Sequence, residues 1–244
     1  MDGHYLQTPI LRQMSYKIDF DTTLEELCET FRFLSENGCH GFDCSKESLN
    51  IMESWGHKED LSSETLDMIR IDLGECRRCR LWESRKNIVF GAGDFHARLV
   101  FVGEGPGYDE DQKGEPFIGA AGRLLTKIIE AINYTRDQVY ICNIIKCRPP
   151  GNRNPLPDEI EACFPYLKRQ LVAIKPDIIC ALGTFAAQTL LETKQPISKL
   201  KGRFHDYNGI RVLPTYHPAY LLRNPDKKRD VWEDMKKLMK ALGD

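Results

Sequence analysis

The chain has 244 residues, enough for one domain of ordinary size and a smaller attachment. Its formal net charge is −2, so no bulk basic field points to nucleic acid and any phosphate-binding surface must be local. Apolar runs long enough to span a bilayer are absent, and Met1-Asp2-Gly3-His4-Tyr5-Leu6-Gln7 lacks the basic-then-apolar order of a secretory signal, so neither a membrane-spanning nor a secreted protein is expected.

In chain order, Thr23 to Asn37 reads as a helix with Leu24, Leu27, Phe31 and Leu34 on one face. A glycine-containing break at Gly38-Cys39-His40-Gly41 follows, then a second helix around Glu47 to Trp55 and a third over Ser62 to Leu73. Residues 1–72 are therefore expected to form a small helical extension, a candidate surface for a protein partner. Cys39 and Cys44 flank His40, but with no further ligand nearby they read as structural.

From about Asp94 the pattern changes to alternation. Arg98 to Glu104 is a β-rich apolar run, and Gly122 to Tyr134 has helical spacing through Leu124, Leu125, Ile128, Ile129 and Ile132. Val139 to Lys146 reads as a strand and Pro157 to Ile174 as a helix with proline near its start. Pro176 to Gly183 is again a strand, Thr184 to Leu191 a short helix, Val212 to His217 a strand, and Asp226 to Leu242 a closing amphipathic helix. Such alternation implies βα units and a mostly parallel sheet covered on both faces. Ligands in these sheets bind at the carboxyl ends of the strands, where Glu104, Asn143 and His217 all fall.

The loops at those ends carry the chemistry. Gly103-Glu104-Gly105-Pro106-Gly107 and Gly114-Glu115-Pro116-Phe117-Ile118-Gly119 let backbone amides approach a ligand closely. His217-Pro218 sets a titratable ring on a stiff support, and Asn143 is a polar side chain in an apolar strand. An amide, an imidazole, an aromatic ring and a glycine cradle are the parts that read a nucleobase. Local basic groups are Lys146, Arg148 and Arg153, then Lys199, Lys201 and Arg203, then Arg223 with Lys227, Lys228 and Arg229. Nine cysteines is an odd count, and Cys142 and Cys180 read as small buried apolar groups, so the chain is no disulfide framework and a cytoplasmic location is expected. Cys76-x2-Cys79 is a metal half-site, with Cys147 and Cys163 on distant segments. Spacing favours a metal site over free thiols and leaves iron–sulfur and zinc both open.

Taken together, Gly-Glu-Gly-Pro-Gly, Glu-Pro-Phe-Ile-Gly, Cys-Asn-Ile-Ile-Lys-Cys-Arg-Pro-Pro-Gly-Asn-Arg-Asn-Pro and His-Pro-Ala-Tyr-Leu-Leu-Arg-Asn-Pro resemble the family 4 uracil-DNA glycosylases, the iron–sulfur branch of that superfamily. The resemblance runs from about Leu73 to near the C-terminus, so residues 73–244 are expected to be the glycosylase domain. It implies an α/β fold with a parallel four-stranded sheet flanked by helices, and a [4Fe–4S] cluster on Cys76, Cys79, Cys147 and Cys163. It also implies a monofunctional enzyme of base excision repair that flips uracil out of single- or double-stranded DNA and leaves an abasic site.

On that resemblance Phe117 stacks on the base, and Asn143 accepts from uracil N3–H while donating to O4. His217 donates to the developing negative charge at O2. Glu104 and Gly105 border the base, and Glu104 is the candidate for activating water, because Gly105 holds the position where the best-known branch has an Asp. Glu110 is expected to fill the space over Gly107 that would admit the methyl of thymine. Leu221 or Leu222 is expected to wedge into the base stack, with Arg148, Arg153 and Arg223 on the DNA.

Two rival readings stand beside this one. A covalent uracil-trapping variant would need a nucleophilic His after the Asn strand, and Lys146 to Pro155 contains none. A catalytically silent iron–sulfur DNA-binding module, tethered to replication machinery through the N-terminal helices, would keep the cluster and release uracil from no substrate.

Overall fold

The computed structural model describes residues 28–33, 36 and 64–243. The chain divides into two compact units, Met1–His57 and Lys58–Asp244. In the first, residues 28–33 and 36 are helical, within the helix expected over Thr23 to Asn37. The expected helix around Glu47 to Trp55 and the Cys39, His40 and Cys44 group lie outside the described residues, as does most of the candidate partner surface.

The second unit is built on a six-stranded sheet: β1 (Ala92–Gly93), β2 (Leu99–Gly103), β3 (Tyr140–Asn143), β4 (Ile178–Leu182), β5 (His205–Tyr207) and β6 (Ile210–Thr215). Their spatial order is β1-β3-β2-β4-β6-β5. The inner four, β3-β2-β4-β6, are parallel as expected, while β1 and β5 add short antiparallel edges, so the sheet is mixed and not a four-stranded parallel one. Two- and three-residue edge strands are set by pairing with a neighbour and carry no periodicity of their own.

Side chains alternate across the sheet, and the core divides accordingly. Val100, Val102, Tyr140, Cys142, Ile179 and Ala181 face one layer, against helices α1 (Leu66–Leu73), α4 (Pro157–Ile174) and α5 (Thr184–Leu190). Leu99, Phe101, Ile141, Ile178, Cys180 and Leu213 face the other, against α3 (Ala120–Ala131), α7 (Pro218–Arg223) and α8 (Lys228–Leu242). Short helices α2 (Tyr108–Lys113) and α6 (Ile197–Leu200) lie in the connections. Helix α1, counted with the extension in the sequence, contributes Leu66, Ile69 and Leu73 to this core, so the compact unit begins before the expected border at residue 73.

Helix α4 keeps its sequence-predicted bounds because its ends are chemically marked. Pro157 occupies the first turn, the Glu159 carboxylate accepts from the Leu156 N–H at 2.8 Å, and Lys175 takes a left-handed cap. Strand β3 stops at Asn143, earlier than expected. Ile144 and Ile145 still bond to the Gly103 and Glu104 carbonyls, drawing this stretch over the end of β2. The chain runs from β2 to β3 on one side and returns to β4 on the other. A crevice therefore opens at the carboxyl ends, where doubly wound sheets bind ligands.

Candidate active site

Glu104, Gly105, Glu110, Phe117, Asn143 and His217 all line one cavity of about 750 Å³ at those strand ends. Arg153 and Arg223 also line it.

Asn143 closes β3, and its Oδ1 is buried with no hydrogen-bond partner, singular in this respect among the described residues. An orphaned acceptor is costly unless something completes it, so this atom marks a place for a donor. Space for the amide exists because residue 103 is glycine. A Cβ there would meet Asn143 Oδ1 at 2.4 Å and the Phe117 ring at 2.5 Å. From behind, Lys146 Nζ donates to the Asn143 carbonyl at 2.8 Å and to Gln170 Oε1 at 2.6 Å. Lys146 is wholly buried, so it cannot meet a phosphate as its place among the basic residues suggested. Its pKa is lowered by burial. Neither Lys146 nor Gln170 was visible as a support for Asn143: a lysine just past an apolar strand reads as a surface cation, and Gln170 meets it from the following helix, a contact that leaves no local pattern.

Phe117 adopts φ 53°, in the left-handed region that non-glycine residues rarely occupy. That turn aims its ring into the cavity beside His217, with ring centroids 5.6 Å apart and a 35° tilt. His217 follows β6 and caps α7, its Nδ1 accepting from the Ala219 N–H at 3.1 Å. With Nδ1 as acceptor, the neutral ring carries its proton on Nε2, a donor available to a ligand. Burial, aided by the Arg223 charge, pulls the imidazole pKa down to about 4, so the ring is neutral at physiological pH. Burial alone lifts the Glu104 carboxyl to about 7, which poises it between acid and carboxylate.

Glu110 is held against the glycine loop. Its Oε2 accepts from the Gly107 N–H at 3.1 Å, and its Oε1 from the N–H groups of Ile118 and Gly119 at 2.9 and 3.0 Å. A Cβ on residue 107 would lie 2.7 Å from that Oε2, so the carboxylate occupies the room that glycine leaves.

The expected DNA contacts divide. Arg153 is paired with the buried Glu159 through both guanidinium nitrogens at 2.5 and 2.8 Å, which fixes the loop before α4. Arg148 lies outside the cavity lining, stacked over Tyr108 at 5.0 Å with its Nε on Asn152 Oδ1 at 2.6 Å. Leu221 is 1% exposed and packs in the core beneath α7, so it is not free to wedge into DNA; Leu222 is 47% exposed. Helical geometry makes the difference, since α7 turns Leu221 inward and carries Tyr220 and Arg223 toward the cavity.

Cys76, Cys79, Cys147 and Cys163 are free thiols. Among the described residues no three side chains converge as a single ion requires. The four still share one neighbourhood, because Cys79 and Cys163 each feel the Cys76 sulfur and Cys147 feels those of Cys163 and Cys79. Burial first, and then these neighbours, push the Cys147 thiol up to about 12 and Cys163 to about 11. Three sulfurs already accept hydrogen bonds: Cys163 from the Lys146 N–H at 3.2 Å, Cys147 from Arg85 and Cys76 from Arg78, both at 3.4 Å. An all-thiol donor set with cationic and amide donors on sulfur fits a polynuclear cluster of negative charge better than one small ion.

Thr184, Phe185, Ile197, Tyr216 and Tyr220 line the same cavity and were not among the residues expected there. Tyr220 sits within the His-Pro-Ala-Tyr segment without a role of its own there, the other four carry no motif, and their shared location identifies them.

Residues 90–236 match the family model of the uracil DNA glycosylase superfamily. The chain is 44% identical over 188 residues to the type-4 uracil-DNA glycosylase of Saccharolobus solfataricus, covering 73% of this chain and 87% of that protein. It is 44% identical to the type-4 enzyme of Archaeoglobus fulgidus, covering 74% and 94% of the two chains, and 44% to that of Thermotoga maritima, covering 71% and 93%. With the glycine loop, the strand-end Asn and the His-Pro cap converging on one cavity, the chain belongs to the uracil-DNA glycosylase superfamily, in its type-4 family.

Proposed function

We propose that this protein is a monofunctional uracil-DNA glycosylase of base excision repair, hydrolysing the N-glycosidic bond of deoxyuridine in single- or double-stranded DNA. The observation that carries this reading is the orphaned Asn143 Oδ1 in the cavity that the Phe117 ring and His217 also line. A flipped uracil stacks on Phe117 and supplies its N3–H to that oxygen, while the Asn143 amide donates to O4. Cytosine presents an acceptor at N3 and a donor at position 4, which leaves both buried groups unpaired. Thymine is refused by the Glu110 carboxylate over Gly107.

The C1′–N1 bond breaks with its electron pair passing to the base, and the sugar develops positive charge. Neutral His217 donates from Nε2 to O2, where negative charge grows. Glu104, as carboxylate, orients the water whose oxygen bonds to C1′ and takes its proton. Arg223 and exposed Leu222 meet the DNA at the cavity mouth, with Arg148 and Arg153 bordering the loop above. Cys76, Cys79, Cys147 and Cys163 would hold a [4Fe–4S] cluster. When bound, it supplies a crosslink that fixes the loop between Cys147 and Cys163 against the segment from Cys76, with no part in base release. Free thiols suit the reducing cytoplasm, and no helix among the described residues is long and apolar enough to cross a membrane.

The test is an end-labelled oligonucleotide carrying one uracil, analysed with and without alkali. Strand scission only after alkali is expected. A protein–DNA band that survives denaturation would mean covalent trapping, and neither signal would mean a silent binding module.

A further inference from the structure

The cavity is larger than one pyrimidine requires. Its volume of about 750 Å³ lies in the upper part of the range of roughly 300–1,000 Å³ that holds drug-sized ligands. Its lining runs from the ends of β2 and β3 to those of β4 and β6. Three inter-strand steps correspond to about 14 Å. The groups assigned to uracil come from the β2 and β3 ends, with His217 reaching across Gly183 to meet Phe117. Thr184, Phe185, Ile197, Ser198, Tyr216 and Tyr220, contributed by the β4 and β6 side, have no task in reading that base.

This second part is built like a nucleobase platform. Tyr216 and Tyr220 stack with centroids 5.0 Å apart and a 33° tilt, and Lys201 Nζ lies 5.0 Å from the Tyr216 ring centre. Lys201 is itself held by Asp230 at 3.6 Å, so a fixed cation stands against the tyrosine pair that lines the cavity. Arg223, on the same face of α7 as Tyr220, adds a positive charge. Aromatic faces beside cations are what single-stranded nucleic acid binds, because every base has a π-face and every nucleotide a phosphate.

We propose that this half of the cavity is a second base subsite, in which Tyr220, backed by Tyr216 and with Phe185 in the same lining, holds the nucleobase adjacent to the uracil in the same strand. The inference rests on the uracil-excision reading above. A neighbouring base reaches the subsite only when unpaired, so the enzyme acts more efficiently on single-stranded or frayed DNA than on a closed duplex.

The experiment uses the full-length chain and single-stranded oligonucleotides with one uracil, flanked on the 5′ or the 3′ side by a normal nucleotide or by a tetrahydrofuran spacer. For the wild type, KM rises roughly 10-fold when the base on one particular side is removed, with kcat little changed, as expected for loss of one stacked base. Tyr220→Ala raises KM for the base-flanked substrate to the same level and becomes indifferent to the spacer, while Tyr220→Phe behaves as wild type. Wild-type enzyme that releases uracil equally from all substrates overturns the subsite, and so does Tyr220→Ala that stays sensitive to the spacer. Should Tyr220→Ala fail to fold, Phe185→Ala and the wild-type comparison decide by the same criteria. Absence of uracil release from every substrate would instead overturn the excision reading itself.

Discussion

Asn143→Ala separates recognition from stability in a way few active-site substitutions do. In the free protein Asn143 Oδ1 is buried and unpartnered, a state that costs about 1–3 kcal/mol. Alanine removes that cost. Little packing is lost in exchange, because the amide stands on the wall of a cavity and not within a filled core. The melting temperature is therefore expected to stay the same or rise, a gain of about 1 kcal/mol corresponding to roughly 2–4 °C in a domain of this size. Excision moves the other way. Two hydrogen bonds to uracil disappear at about 1–3 kcal/mol each, which lowers kcat/KM by roughly 10²- to 10⁴-fold. Scanning calorimetry with and without free uracil completes the assay: uracil raises the wild-type melting temperature and leaves the variant unmoved. A fall in melting temperature of more than about 4 °C, or excision within about tenfold of wild type, would refute the claim that this oxygen waits for a ligand.

The remaining expectations concern pH, size selection, the wedge and the cluster. With Glu104 lifted to about 7 by burial, kcat/KM should rise tenfold per pH unit up to about 7 and level off above it, and Glu104→Gln should flatten that limb. Stability shows the linked signs: the Glu104 contribution is fully present below its unfolded value near 4.5 and is lost as pH rises through about 7. The His217 contribution is present above 6.5 and is lost as pH falls through about 4. Glu110→Ala vacates the room over Gly107 and should release thymine from oligonucleotides on which the wild type is inert; continued refusal of thymine would move the size filter elsewhere. Leu221→Ala should cost about 2–5 kcal/mol in denaturant unfolding, whereas Leu222→Ala should leave stability unchanged and slow excision from duplex more than from single strands. Anaerobically purified protein should contain iron with broad visible absorbance, and Cys163→Ser should lose both; stoichiometric zinc without iron would refute the cluster assignment.

Much of the fold was legible because the inner strands are buried on both faces and read as short apolar runs, while helices such as Pro157–Ile174 carry their own start and stop chemistry. The site was legible because glycine at 103, 105 and 107, Asn143 in an apolar strand and His217-Pro218 are local departures from what packing alone would choose. Edge strands β1 and β5 were not, since pairing with a partner, and no periodicity of theirs, creates them.

By itself, then, the sequence determined the βα succession, the loops that bear chemistry and the residue types able to read uracil, all of which depend on neighbours within a turn or a strand. Only tertiary structure decided which side each ambiguous group takes. Lys146 is basic by sequence, yet it faces inward to hold the Asn143 carbonyl, and of two adjacent leucines only Leu222 reaches solvent. Burial likewise sets the Glu104 and His217 charge states, and the Ala219 amide fixes the imidazole proton on the cavity side. Exposure and desolvation depend on residues far away in the chain, and those distances close only when it folds.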